Sequence, residues 1–357
     1  MHPHDNVATS SYRLINYQSS DEYHYKIKHM KSCLSIQSHV CHGYVGGKAA
    51  VFPLQTQGWE VDYINTVNFS NHTGYGSFRG KAIEEQELTP VLNQLNRLHL
   101  NYNAIITGYI PNADLIRSIG EYIQAFKDNT SSKLIYLLDP VMGDNNYLYV
   151  DKTCVSEYRD VLSHEIVDIV TPNQFELELL TESKINGPES LMVAIQLMHT
   201  KYRVPFVVIT SLDGSLLAHD SSSIYCAIST ISSPEIRLFK IPIIKSYFTG
   251  VGDLFSALLL DKLTKNLGDQ VSPLDSLSPL DSLSRSISQV LTIMSRTLRM
   301  THKLALKLYN KNVPSGKDLE GKINDGDTMK YFELRIIQAR QFYDYDGDGE
   351  FEPMVLK

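Results

Sequence analysis

Apolar positions fall into short continuous runs separated by stretches of helical periodicity, and this regular alternation starts near Ser32. Residues 33–37, 61–67, 104–107, 133–138, 166–170 and 205–210 read as strands. Between them, 47–57, 90–100 and 113–126 read as helices, with Gly58 placed to stop the first. Strands alternating with helices predict parallel βαβ units and a sheet covered on both faces. Residues 221–242 read as consecutive β segments, a hairpin or sheet edge. In such sheets ligands sit beyond the carboxyl ends of the strands. Asp139, Thr171, Thr210 and Ser211, each at or just after such a strand end, are therefore expected along one edge.

Two regions depart from this pattern. Residues 1–30 are polar, with irregularly spaced His2, His4, His24 and His29, and read as an N-terminal extension to a single domain spanning 31–357. Residues 266–288 contain the hexapeptide Pro273-Leu274-Asp275-Ser276-Leu277-Ser278, repeated at once as 279–284. The period is too short for a solenoid unit, and the Pro/Ser content predicts a solvated loop insertion. A long helix is expected after it, over about 287–308.

Composition narrows the class. With 357 residues and 43% hydrophobic content the chain can bury a large core. A net charge of −7 gives no footprint of a nucleic-acid binder. Cys33, Cys41, Cys154 and Cys226 are scattered without a CxxC pair, which suggests neither a disulfide framework nor zinc and fits a reducing compartment. No apolar run reaches membrane-spanning length and no secretory signal pattern opens the chain, so a cytoplasmic location, with the nucleus also open, is expected.

The strongest chemical signal is Gly250-Val251-Gly252-Asp253, which runs directly into an apolar helix. The first amides of a helix have no internal partner, and the dipole there favours anions. A carboxylate beside such an anion hole could take a proton from an alcohol while the amides hold the phosphoryl group it attacks. The same Asp is also favourable as a plain first-turn residue. Asn173-Gln174-Phe175-Glu176 has the spacing of a capping box, and equally places Glu176 near a magnesium ion or its waters. Asp139 and Asp144 flank a turn that could also face a metal or phosphates, and residues 70–76 form a polar loop after a strand. Asp344-Tyr345-Asp346-Gly347-Asp348-Gly349 imitates the start of a calcium loop, but position 12 is Val355 rather than Glu, so a solvated turn is expected.

Several segments together resemble the pyridoxal kinases of the ribokinase-like superfamily. These are Leu34-Ser35-Ile36-Gln37-Ser38-His39-Val40, Gly43-Tyr44-Val45-Gly46, Phe69-Ser70-Asn71-His72-Thr73-Gly74-Tyr75, Thr107-Gly108-Tyr109, Asp139-Pro140-Val141-Met142-Gly143-Asp144, Val170-Thr171-Pro172-Asn173-Gln174-Phe175-Glu176, Val208-Ile209-Thr210-Ser211 and Gly250-Val251-Gly252-Asp253. They occur in the family's order over about 32–265, and Glu333-Leu334-Arg335 also looks familiar.

The resemblance implies an α/β three-layer sandwich with a mostly parallel central sheet, and ATP-dependent phosphorylation of the 5′-hydroxyl of pyridoxal, pyridoxine and pyridoxamine. It implies Asp253 as general base and the amides of Gly250 to Asp253, Gly252 included, as anion hole. Ser38, Val45, Thr73 and Tyr109 would bind the vitamer. Asp139, Asp144, Tyr149, Thr171, Thr210, Ser211 and Gly252 would line ATP, with Asn173, Glu176 and Asp139 on the metal side. Mg2+, or another divalent ion such as Zn2+, and K+ or Na+ are the cations it allows; a homodimer is the assembly.

Val251 departs from the Thr that many pyridoxal kinases carry between the two glycines. Two alternatives stand beside this reading. One is a hydroxymethylpyrimidine kinase of the same superfamily, whose Gly/Ala/Asp-rich opening differs from Ser35-Ile36-Gln37-Ser38-His39-Val40. The other is a catalytically weak vitamer-binding or scaffold relative.

Overall fold

The apolar runs become the middle of one ten-stranded sheet with the order β12-β11-β10-β9-β8-β5-β4-β1-β2-β3. Its strands are β1 Lys31–Val40, β2 Trp59–Phe69, β3 Gly80–Ala82, β4 Ala104–Thr107, β5 Ile135–Leu138, β8 Ile169–Val170, β9 Phe206–Asp213, β10 Ser223–Thr230, β11 Arg237–Pro242 and β12 Pro353–Val355, while β6 Gly143–Asp144 and β7 Tyr147–Leu148 form a separate small hairpin. This computed structural model describes residues 31–130, 134–218, 220–268, 277–312 and 320–356. The expected extension 1–30, with its histidines, lies outside them.

From β9 to β2 every neighbouring pair is parallel, and antiparallel strands are added at both edges. The hairpin expected over 221–242 is the β10–β11 pair. Alternate side chains of each central strand enter opposite cores. Leu34, Ile36, Ile105, Leu138 and Val207 pack with α2 Glu85–Arg97, α3 Ala113–Asn129, α4 Lys152–Ser163, α5 Gln174–Thr181 and α6 Pro188–Thr200. Cys33, Ile106, Leu137 and Val208 pack with α1 Gly47–Thr56, α7 Val251–Leu267 and α8 Pro279–Asn312. The result is the three-layer α/β sandwich expected from the alternation; central strands covered on both faces need apolar residues at successive positions, hence the continuous runs.

Two expectations are corrected. The helix read as 90–100 spans Glu85–Arg97, because a capping box between Glu84 and Glu87 starts it before Pro90. The solvated loop read over 266–288 is, in its second half, the buried opening of α8. Leu280, Leu283 and Ile287 are buried at helical spacing, and so are Ser282, Ser284 and Ser286. Those serines mislead because their composition is that of a loop. In a helix a hydroxyl can bond back one turn, as Ser286 Oγ does to the Ser282 carbonyl at 2.6 Å, and so remain satisfied inside a core. Ser278 caps the start, accepting from the Asp281 amide at 3.1 Å. Most of the first repeat lies outside the described residues.

The acidic tail is a turn against α8: Gln289 Nε2 donates to the carbonyls of Asp346 and Gly347 at 3.1 and 2.9 Å. Among the described residues no helix is long and apolar enough to cross a membrane.

Candidate active site

Backbone pairing just past the central strands gathers their end residues along one edge. Gly108 N donates to Ile36 O, Asp139 N to Thr107 O, Thr171 N to Leu138 O and Thr210 N to Pro172 O. Asp139 and Thr171 thus sit just past the ends of β5 and β8, and Thr210, expected at a strand end, lies beside them inside β9, which runs on to Asp213. β9 carries a bulge there, since Tyr225 pairs with Leu212 but Ala227 with Ile209, which leaves Thr210 and Ser211 half-buried between two registers. Bulges of this kind re-aim side chains at the rims of sheets.

α7 points its N-terminus at the same edge. Its N-cap is Gly250, which has no side chain to cap the first amides, and the first backbone bond of the helix is Leu254 N to Gly250 O at 3.1 Å. Gly250 has φ 75°, and a Cβ there would lie 2.1 Å from the Tyr44 carbonyl oxygen, so only glycine lets the two loops meet. Asp253, in the first turn, accepts the Gly46 amide on Oδ2 at 2.7 Å. Burial pushes its carboxyl up to about 6, against the opposing pull of the Gly46 amide and its own amide. Gly252 is exposed beside Asp139, whose Oδ2 lies 3.5 Å from where a Cβ would stand.

Asp139 is buried and held well above the carboxylate range, first by burial and then by the neighbouring carboxylates of Glu176 and Asp253. Ser256 Oγ donates to it at 3.3 Å and lies 3.1 Å from Thr171 Oγ1. Glu176 is pushed up to about 7 by burial, although it accepts Asn173 N and Met142 N, each at 2.9 Å. Asn173 Oδ1 accepts Glu176 N at 2.9 Å, and its Nδ2 donates to Gly143 O at 2.8 Å. The capping box read from spacing is present, and it fastens the 142–143 turn to α5.

Among the described residues no three His, Cys, Asp or Glu side chains converge as a ready metal cage. The edge instead offers buried carboxylates short of positive charge, which suits an ion that keeps most of its waters and shares the phosphates of a ligand. Asp144 is half-buried at the β6–β7 hairpin and raised by burial; Tyr149 follows that hairpin, 42% exposed and raised by burial as well.

On the other side of Asp253, Ser38 and Val45 are close at hand: Ser38 Oγ lies 2.3 Å from where a Gly46 Cβ would be. Tyr109 is half-buried next to Gly108, itself wedged between Gln37 Oε1 and Asp253 Oδ1. Gln37 Oε1 is buried with no hydrogen-bond partner among the described residues and was not singled out from sequence. Thr73 is exposed in a short helical turn capped by His72, whose Nδ1 accepts the Gly74 amide at 3.0 Å and whose imidazole burial pushes down to about 4. Glu333, noticed in sequence only as part of a familiar tripeptide, enters this wall from the C-terminal segment, accepting Tyr75 Oη at 2.6 Å and Tyr44 N at 2.9 Å.

Comparison with known proteins agrees with this geometry. A family model described as phosphomethylpyrimidine kinase matches residues 64–271. A Saccharomyces cerevisiae protein provisionally named a pyridoxal kinase is 40% identical over 320 residues, covering 88% of this chain and 96% of its own length. The pyridoxal kinase of Dictyostelium discoideum is 35% identical over 315 residues, covering 87% and 94%. Pyridoxal kinase from Leishmania donovani, solved with ADP and pyridoxamine, superposes with a TM-score of 0.72 at 29% identity over 91% of this chain and 99% of its own. Ordered strand-end motifs, a ribokinase-like sandwich and relatives matched over nearly their whole length lead to one assignment: the chain belongs to the pyridoxal kinase family.

Proposed function

We propose that the protein transfers the γ-phosphoryl group of ATP to the 5′-hydroxyl of pyridoxal, pyridoxine and pyridoxamine. The observation that carries this reading is Asp253, a half-buried carboxylate in the first turn of α7, beside helix-start amides that the Gly250 N-cap has no side chain to cap. Asp253 takes the hydroxyl proton as the oxygen bonds to phosphorus, and ADP leaves with the electrons of the broken bond. A base pushed up to about 6 is still ionised at neutral pH and accepts a proton more readily than an ordinary aspartate. The amides of Gly250 to Asp253 hold the phosphoryl oxygens in flight, so that catalysis is mostly positioning and charge stabilisation.

Ser38, Val45, Thr73 and Tyr109 form the vitamer side, and Asp139, Asp144, Tyr149, Thr171, Thr210 and Ser211 the nucleotide side. Mg2+, held through Asp139 and through waters near Glu176, would neutralise phosphate charge when bound. Asn173 supports this indirectly, because both ends of its amide are engaged with protein groups. The Leishmania donovani relatives solved with ADP and either pyridoxamine or pyridoxine support the substrate class.

The matched family description keeps a pyrimidine substrate as the second reading. Incubation with Mg-ATP and, separately, each vitamer and hydroxymethylpyrimidine decides between them by product. Phosphorylated vitamers with little phosphorylated pyrimidine are expected; the reverse overturns the substrate, and no product with any of the four overturns the activity.

A further inference from the structure

Glu333 is 4% exposed, yet its carboxylate accepts from three segments far apart in sequence. Tyr44 N donates to Oε2 at 2.9 Å, Tyr75 Oη to Oε1 at 2.6 Å, and Thr249 Oγ1 to Oε2 at 3.4 Å. Each donor neighbours a residue of the site: Tyr44 precedes Val45, Tyr75 closes the turn holding Thr73, and Thr249 precedes Gly250. Gly43, at φ 91°, makes room for the carboxylate, since a Cβ there would stand 2.4 Å from Oε2. Among the described residues no cation lies within ion-pair distance of Glu333, so neutral donors alone hold it.

The surrounding C-terminal segment reinforces the same seams. Asn324 N donates to Gly74 O at 2.6 Å, Gly321 N to Ser246 Oγ at 2.9 Å, and Tyr247 N to Gly321 O at 2.9 Å. Burying a carboxylate is costly unless its hydrogen bonds are made, so this arrangement is stable only with the three loops in one relative position.

We propose that Glu333 is a positioning residue that locks the vitamer wall to the anion hole. The proposal rests on the function reading above. It adds a residue outside the matched family segment 64–271. Tyr44, Tyr75 and Thr249 belong to the vitamer and anion-hole side, whereas Asp139, Thr171 and Thr210 make no hydrogen bond to Glu333. Loss of the carboxylate should therefore loosen vitamer placement and leave nucleotide binding unaltered.

Three variants test this. Glu333→Ala removes every bond, Tyr75→Phe removes one, and Glu333→Gln keeps the shape, its carbonyl accepting Tyr44 N while its amide donates to Tyr75 Oη. Two readouts are taken: KM for pyridoxal against KM for ATP, and amide hydrogen exchange at residues 43–46 and 72–76 in the ligand-free protein. Glu333→Ala should raise the pyridoxal KM by about tenfold or more and Tyr75→Phe by about three- to tenfold, with the ATP KM within about twofold and Glu333→Gln restoring most of the loss. Exchange should accelerate at those two loops ahead of the sheet. An equal rise in both KM values with uniformly faster exchange, or no change in either readout, overturns the proposal. If the wild-type protein phosphorylates no B6 vitamer, the function reading falls by itself, and loop exchange alone then judges Glu333.

Discussion

Helix α7 carries two aspartates, Asp253 in its first turn and Asp261 in its interior, and the protein treats them oppositely. Asp261, 1% exposed, accepts Trp59 Nε1 at 3.0 Å and Lys265 Nζ at 2.8 Å, with Lys262 Nζ at 3.9 Å. Asp253 has the Gly46 amide and its own amide, and no cation within ion-pair distance among the described residues. One carboxylate is compensated by the fold itself. The other is left short of positive charge and is pushed up to about 6, beside the similarly raised Asp139 and Glu176. The aspartate that supports the fold is neutralised internally, while the one proposed as the base has its compensation left to what binds.

Removing the compensated aspartate should cost the most stability. Asp261→Ala leaves the buried Trp59 indole N–H without its acceptor and takes the neighbouring carboxylate from Lys262, 3% exposed, which keeps only the Tyr343 carbonyl, so a loss of about 3–5 kcal/mol in urea denaturation is expected. Turnover per folded molecule should stay near wild type; a collapse of turnover without loss of stability would undo the contrast between the two aspartates.

A second buried carboxylate of the candidate site, Glu176 at the start of α5, makes a pH prediction. Glu176 has a folded value raised from 4.5 to about 7, so between these values the folded chain holds more protons than the unfolded one. The stability contributed by its protonated form is complete below pH 4.5 and is lost as pH rises through about 7. The loss should be on the order of 3 kcal/mol in the ligand-free protein, with Asp253 adding in the same direction. Denaturation at several pH values checks this, and Glu176→Gln should flatten the decline. Stability that rises over this window would contradict the assignment.

The smallest effect is expected at the departure from the family pattern. Val251→Thr adds a hydroxyl beside amides that already suffice, so turnover should change by less than about tenfold, roughly one hydrogen bond. A larger gain would show that backbone amides alone do not complete the anion hole.

The legible parts of this molecule were those set by local pattern. Apolar runs such as 104–107 and 135–138 marked central strands because both of their faces are buried. Asp139 and Thr171 were legible as site candidates because strand ends converge, whereas Thr210, expected at a strand end, lies inside β9 at its bulge. The Asn173–Glu176 box was legible because capping has a fixed spacing. Glu333 was not readable as a clamp, because its partners Tyr44 and Tyr75 lie 289 and 258 residues away. The buried serines at 282, 284 and 286 were misread because loop composition and back-bonded helix composition coincide, and only packing against the sheet separates them. The bulge that leaves Thr210 and Ser211 half-buried at the rim comes from pairing with β10, which neither strand's sequence reveals alone.

The central claim is that Asp253 is the base at an otherwise intact phosphoryl site. Single-turnover transfer from Mg-ATP to pyridoxal in Asp253→Asn, with nucleotide affinity measured on the same protein, tests it most directly. A fall of about 10²–10⁴-fold in transfer with nucleotide affinity near wild type is the predicted result. Transfer within about tenfold of wild type, under roughly 1.4 kcal/mol of barrier, would contradict it.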